Sequence, residues 1–189
     1  TPKIAVIDTG ANMDAKDIKF AINRDLSVDV TKQDENGNYL PCENDAASGD
    51  GHGTGIVSVI AATINNKTGI AGVMGSSPAD IFMVQVMNPE SKAITLSSLI
   101  KGINYAVEQK ADVINISLGT YTNTDDEIPS LKAAIDAAYD AGCIVVASAG
   151  NGKNNNGVGK EQPMYPAAYK NVIGVMGVDR KGERSSFSD

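Results

Sequence analysis

Short apolar runs rich in β-branched residues recur along the chain at residues 4–7, 81–86, 113–116, 144–146 and 172–178. Such runs, with few polar interruptions, predict strands buried on both faces. Between them the spacing becomes helical, over residues 56–64, 99–107 and 131–139. In the second of these, Leu99, Ile100, Ile103, Ala106 and Val107 gather on one face. The third has Pro129 and Ser130 near its start and Gly142 just past its end, as helix punctuation requires. Alternating strands and helices predict right-handed crossovers and an α/β fold of three layers, a mostly parallel sheet with helices on both faces. Polar stretches at 33–51 and 150–162 read as surface loops, with no internal repeat or linker. A length of 189 residues suits one domain.

Charge narrows the partners. Sixteen Lys and Arg against 23 Asp and Glu leave a net charge of −7, and there are only three Phe, six Tyr and no Trp. An acidic, ring-poor chain is suited neither to phosphate backbones nor to stacking on bases, so nucleic acid is not an expected partner. No apolar run approaches the roughly 18 residues of a membrane-crossing helix, so no membrane partner is expected. The start leads straight into a strand pattern, which implies that any export signal has been removed. Cys42 and Cys143 show neither redox nor metal spacing and are expected to be unpaired thiols. The single histidine, His52, excludes multi-histidine zinc sites. The glycine-rich tract 49–55 does not satisfy G-x-G-x-x-G, and Gly152-Lys153 lacks the spacer and ending of a phosphate loop. A nucleotide enzyme is therefore disfavoured.

In parallel α/β folds chemistry gathers beyond the carboxyl ends of the strands. Three strand exits are small, polar and glycine-containing: Asp8-Thr9-Gly10, Ser117-Leu118-Gly119 and Ala149-Gly150-Asn151-Gly152. An aspartate ending a buried strand, a lone histidine framed by glycines and an asparagine beyond another strand together suggest acyl transfer. Histidine shuttles protons near neutral pH, a carboxylate orients it, and an amide donates to an oxyanion. Taken singly, Asp8 reads as a turn cap, His52 as an exposed side chain and Asn151 as a loop residue.

The surrounding motifs resemble the subtilase family of subtilisin-like serine proteases. Residues 4–10 (Ile-Ala-Val-Ile-Asp-Thr-Gly) resemble its aspartate motif, and Gly51-His52-Gly53-Thr54 its histidine motif. Residues 115–119 resemble its substrate-binding strand and 147–151 its oxyanion segment; Tyr165-Pro166-Ala167 and 184–188 match later landmarks. The resemblance implies a subtilisin-like fold and a serine endopeptidase. In it Asp8 orients His52, His52 is general base and then acid, and Asn151 stabilises the oxyanion. Ser117, Leu118 and Gly119 would bind an extended peptide or protein substrate by strand addition, and Ala149 and Gly150 would also contact the substrate.

The family's Gly-Thr-Ser nucleophile motif does not occur in the 189 residues. The resemblance thus implies one catalytic domain spanning 1–189 but lacking its carboxy-terminal portion. The chain alone would be inactive, its partner would be the missing part of its own domain, and the sheet would expose apolar surface where that part packs. The rival expectation is a non-catalytic, peptide-binding pseudoprotease. Retention of Asp8, His52 and Asn151 together favours the enzyme.

No cofactor is implied, but family calcium sites map onto Asp17, Asn66 and the carbonyls of Ile64, Thr68 and Ile70; the alternative is a metal-free turn. Asp50 matches a position bordering the substrate's second residue before the cut, where it would favour Lys or Arg. Met164 matches the base of the primary pocket and should shorten it. Leu96 and Leu118 would wall an apolar site further along, although residues 90–95 lack the glycine-rich pattern expected beside it. Secretion is the expected setting.

Overall fold

The computed structural model describes residues 1–45, 51–77, 79–121, 127–152 and 163–189. The chain forms two compact units, Thr1–Ile114 and Asn115–Asp189. In the first, β1 (Lys3–Asp8), β2 (Val28–Gln33), β3 (Tyr39–Pro41) and β4 (Asp80–Gln85) lie in the order β3-β2-β4-β1, with the start of β5 (Val113–Ile116) next to β1. β1 and β4 run parallel, from Lys3 opposite Asp80 to Asp8 opposite Gln85. β3 pairs antiparallel with β2.

Two helices of this unit, α1 (His52–Ala61) and α2 (Leu96–Glu108), cover opposite faces of its sheet. Val6, Ile81 and Met83 cluster with Val57 of α1. Side chains alternate across a strand, so Ile7 and Val84 face the other way. There they meet α2 at Gly102, where a Cβ would come 2.8 Å from Val86 Cγ1 and 3.4 Å from Ile7 Cγ2 and Val84 Cγ1. Burial on both faces explains the unbroken apolar runs. α2 starts at a capping box in which Thr95 and Ser98 bond each other's backbone N–H groups.

In the second unit the end of β5, β7 (Ile144–Ser148) and β9 (Val172–Val175) lie in that order, with β7 and β9 parallel. α3 (Pro129–Asp140) buries Leu131, Ala134, Ile135 and Ala138 and packs on β7. A separate antiparallel ribbon pairs β6 (Thr120–Tyr121) with β8 (Met164–Tyr165), placing Tyr121 opposite Met164. The expected α/β class, mostly parallel with helices on both faces, is observed.

Several boundaries differ from expectation. α1 starts at His52 rather than 56 and ends at Ala61, because Ala62 turns to an extended conformation at ψ 138°. β9 ends at Val175 rather than 178, and β7 continues to Ser148. The stretch 33–51 is not simply a surface loop: it contains β3, and Cys42 and Asp45 are buried. Residues 46–50 and 153–162 of the two polar stretches lie outside the described residues. β2 escapes the pattern because Asp29 interrupts it. That carboxylate is buried all the same, with Oδ1 accepting the Thr31 N–H at 2.8 Å and its hydroxyl at 2.6 Å. Burial raises its pKa against the lowering effect of those bonds. Cys42 carries a buried free thiol whose pKa burial pushes up to about 12. No described helix is long and apolar enough to cross a membrane.

Candidate active site

The apolar run of β1 delivers Asp8 to the strand's carboxyl end with no solvent exposure. Its Oδ1 accepts the Thr9 N–H at 2.8 Å and lies 2.7 Å from His52 Nδ1. Oδ2 is buried with no hydrogen-bond partner among the described residues. A carboxylate oxygen so placed fixes the orientation of the neighbouring ring. The histidine side chain is 46% exposed, so the imidazole links a dry carboxylate to the surface. That is the requirement for relaying a proton to a substrate.

His52 owes its position to the glycines around it. Gly51 precedes the helix at φ 67°, a left-handed conformation that glycine adopts without strain. At Gly53 a Cβ would collide with the Gly10 carbonyl oxygen and come 3.2 Å from Asp8 Cβ. The missing side chain is what lets α1 approach the aspartate strand.

Asp45 secures the same helix end. Its carboxylate accepts the Thr54 N–H at 2.8 Å and the Thr54 hydroxyl at 2.5 Å, while that hydroxyl oxygen accepts the Asn12 N–H at 2.7 Å. One acid thus satisfies an orphan N–H of the first turn, favours the positive end of the helix and joins it to the loop after Asp8. Gln85, buried at the end of β4, anchors the segment carrying Asp45: its Oε1 accepts the Glu43 N–H at 2.9 Å and its Nε2 donates to Met87 O at 3.1 Å. Sequence reasoning missed both residues, since a side chain capping a helix seven positions ahead leaves no periodic trace.

The other expected substrate-binding and oxyanion residues belong to the second unit, except Asp50 and Leu96. Ser117 and Leu118 are half-buried and Gly119 is exposed just beyond β5. Ser117 Oγ accepts the Asn115 side-chain N–H at 3.0 Å. The Ala149 N–H bonds Val175 O at 2.8 Å, Gly150 turns at φ 124°, and Asn151 is exposed. Met164 stands on β8. Leu96 opens α2 in the first unit and is 41% exposed. Asp50 lies outside the described residues.

The expected calcium loop satisfies its own polar groups. Asp17 Oδ1 accepts the Asn66 amide N–H at 2.6 Å, Oδ2 accepts the Ile70 N–H at 3.0 Å, and Asn66 Oδ1 accepts the Thr68 N–H at 2.9 Å. As arranged, these N–H groups occupy the Asp17 and Asn66 side-chain oxygens that a cation would use; for Ile64, Thr68 and Ile70 the expected ligands are the carbonyls. Among the described residues no three acidic, histidine or cysteine side chains are grouped to hold a metal. Melting curves of the folded protein in excess calcium and in chelator are expected to coincide. A calcium-dependent rise in Tm that Asp17→Ala abolishes would contradict this.

These features have counterparts in known proteins. The chain is 38% identical over 188 residues to the major intracellular serine protease of Bacillus subtilis (strain 168), covering 99% of this chain and 54% of that protein. It is 36% identical to thermitase of Thermoactinomyces vulgaris, covering 98% and 58%. The crystal structure of the epidermin leader peptide processing serine protease of Staphylococcus aureus superposes with a TM-score of 0.76 at 29% identity, covering 99% of this chain and 49% of that one. The chain therefore spans little more than half the length of these curated relatives. Since one of them is named as intracellular, the family does not fix a compartment. The Subtilase family profile matches residues 1–189, the whole of the sequence. With Asp8 and His52 paired at 2.7 Å on a mostly parallel α/β scaffold, the chain belongs to the subtilase family of serine proteases.

Proposed function

We propose that this chain supplies the acid–base pair and the oxyanion donor of a serine endopeptidase whose nucleophilic serine lies outside these 189 residues. The observation that carries the reading is the contact of fully buried Asp8 with half-exposed His52. The carboxylate holds the proton on Nδ1, so Nε2 is the nitrogen that accepts a proton from the serine hydroxyl as it attacks the peptide carbonyl. The imidazolium then formed is stabilised by Asp8, and it returns the proton to the departing amine. Asn151 would donate its amide N–H to the oxygen that gains charge. Ser117, Leu118 and Gly119 would lie along one side of the bound peptide and Ala149 and Gly150 along the other, with Met164 below the side chain preceding the cut. Asp50 would favour a basic second residue, and Leu96 and Leu118 apolar residues further out.

Further chain as partner is supported by exposed apolar side chains in the second unit: Ile144, Ile173, Val175, Val178 and Phe187 are each at least half exposed. Together they offer a surface that additional structure would bury. Export is part of the proposal but is not required by the chemistry.

A serine-directed phosphonate provides the test. The full-length protein should become labelled on a serine outside residues 1–189, while the isolated chain should take up none. Labelling of the isolated chain would overturn the division of labour. A full-length protein that is neither labelled nor cuts peptides, yet binds them, would be a pseudoprotease.

A further inference from the structure

In the second unit, a methionine thioether rests against both glycine-bearing segments. A Cβ on Gly119 would come 2.5 Å from Met164 Cε, and one on Gly150 would come 2.8 Å from Met164 Sδ. Gly150 has two further neighbours at its missing side chain, the Tyr121 hydroxyl and an Asp189 carboxylate oxygen. Tyr121 donates to Asp189 Oδ2, which also accepts the Gly152 N–H at 3.0 Å, and the Asp189 N–H bonds Gly150 O at 3.0 Å. Tyr121 and Met164 are paired across the β6–β8 ribbon, so both reach Gly150 from the same support. Burial and the bond to Asp189 push the Tyr121 phenol up to about 12, so it remains a donor throughout the range in which a histidine base operates.

We propose that Tyr121 and Asp189, together with Met164, close the primary pocket and restrict cleavage to bonds following Gly, Ala or Ser. This rests on the proposed placement of the substrate between the 117–119 and 149–151 segments. A Met side chain alone is flexible and can swing aside for a larger guest. The tyrosine ring and the bonded carboxylate are less yielding: insertion of an aromatic side chain would break the Tyr121–Asp189 bond and strip a carboxylate of one of its two donors. A Lys or Arg side chain would meet a carboxylate that already accepts two bonds, and would need room that Met164 fills. Neither Tyr121 nor Asp189 stands in a motif from which a pocket role could be read.

The test uses the full-length protein and peptides that differ only in the residue before the cut. With Ala there, kcat/KM should exceed that with Phe or Arg by at least about tenfold, the scale on which pocket size discriminates. Met164→Gly combined with Tyr121→Gly should raise the Phe-to-Ala ratio by about tenfold or more. Tyr121→Phe, which keeps the ring and removes only the bond, should give a smaller rise. A wild-type preference for Phe or Arg, or a ratio unmoved in a folded double variant, would overturn the proposal. If no peptide is cut, calorimetric binding of peptides ending in Ala or Phe decides. Tighter binding of Ala supports the closed pocket and equal binding overturns it, whereas the lack of hydrolysis counts only against the proposed activity.

Discussion

In the full-length protein, Asp8→Asn is expected to lower kcat by about 10⁴-fold near neutral pH while changing KM little. The magnitude is that of the same change in a serine protease of unrelated fold. Its direction follows from the site. Oδ1 serves two partners, the Thr9 N–H at 2.8 Å and His52 Nδ1 at 2.7 Å, and Oδ2 is buried. An amide with its oxygen kept in place cannot offset the imidazolium charge and buries an NH₂ group. Turned around, it donates to Nδ1 and drives the ring proton to Nε2, where it blocks base catalysis. Near-native circular dichroism with kcat reduced less than tenfold would show that Asp8 does not orient the base.

Gly53→Ala is the second large effect: a loss of about 3 kcal/mol of stability, from overpacking against atoms that cannot rotate away. The nearest of these is a backbone oxygen, that of Gly10, and Asp8 Cβ lies 3.2 Å from the added carbon. Relief requires α1 to move away from β1, which also parts His52 from Asp8. Displacement on the ångström scale costs roughly 100-fold in rate. Gly55 is the control, since a Cβ there meets nothing within 4 Å. Gly55→Ala should be neutral or stabilise by up to about 1 kcal/mol through helix propensity. Urea melts of the two variants test the contrast, and equal midpoints would refute it.

The site was legible where local pattern and chemistry coincide. β1 ends its apolar run on Asp8 because both sheet faces are covered, so the change from apolar to polar marked the site directly. The start of α1 was not legible, because Gly51-His52-Gly53 has poor helix propensity and the turn is secured by Asp45. β2 was hidden by a buried aspartate that makes its own local bonds. The ribbon of β6 and β8 is too short for any period to register, and Tyr121 meets Asp189 across 68 residues of sequence. The calcium expectation rests on the family resemblance around Asp17, and no motif shows the bonds that its carboxylate accepts from the Asn66 amide and the Ile70 N–H.

Asp8, His52, Asp45 and Gln85 all fall within Thr1–Ile114, while Asn151 falls in Asn115–Asp189. During synthesis the amino-terminal unit leaves the ribosome first, and such units generally fold as they emerge. The Asp8–His52 pair can therefore form on the nascent chain once residues 1–114 have emerged. With the proposed serine lying beyond residue 189, a half-made molecule would carry the base with nothing to activate. In the proposed endopeptidase this order of parts would delay proteolysis until the serine has been made.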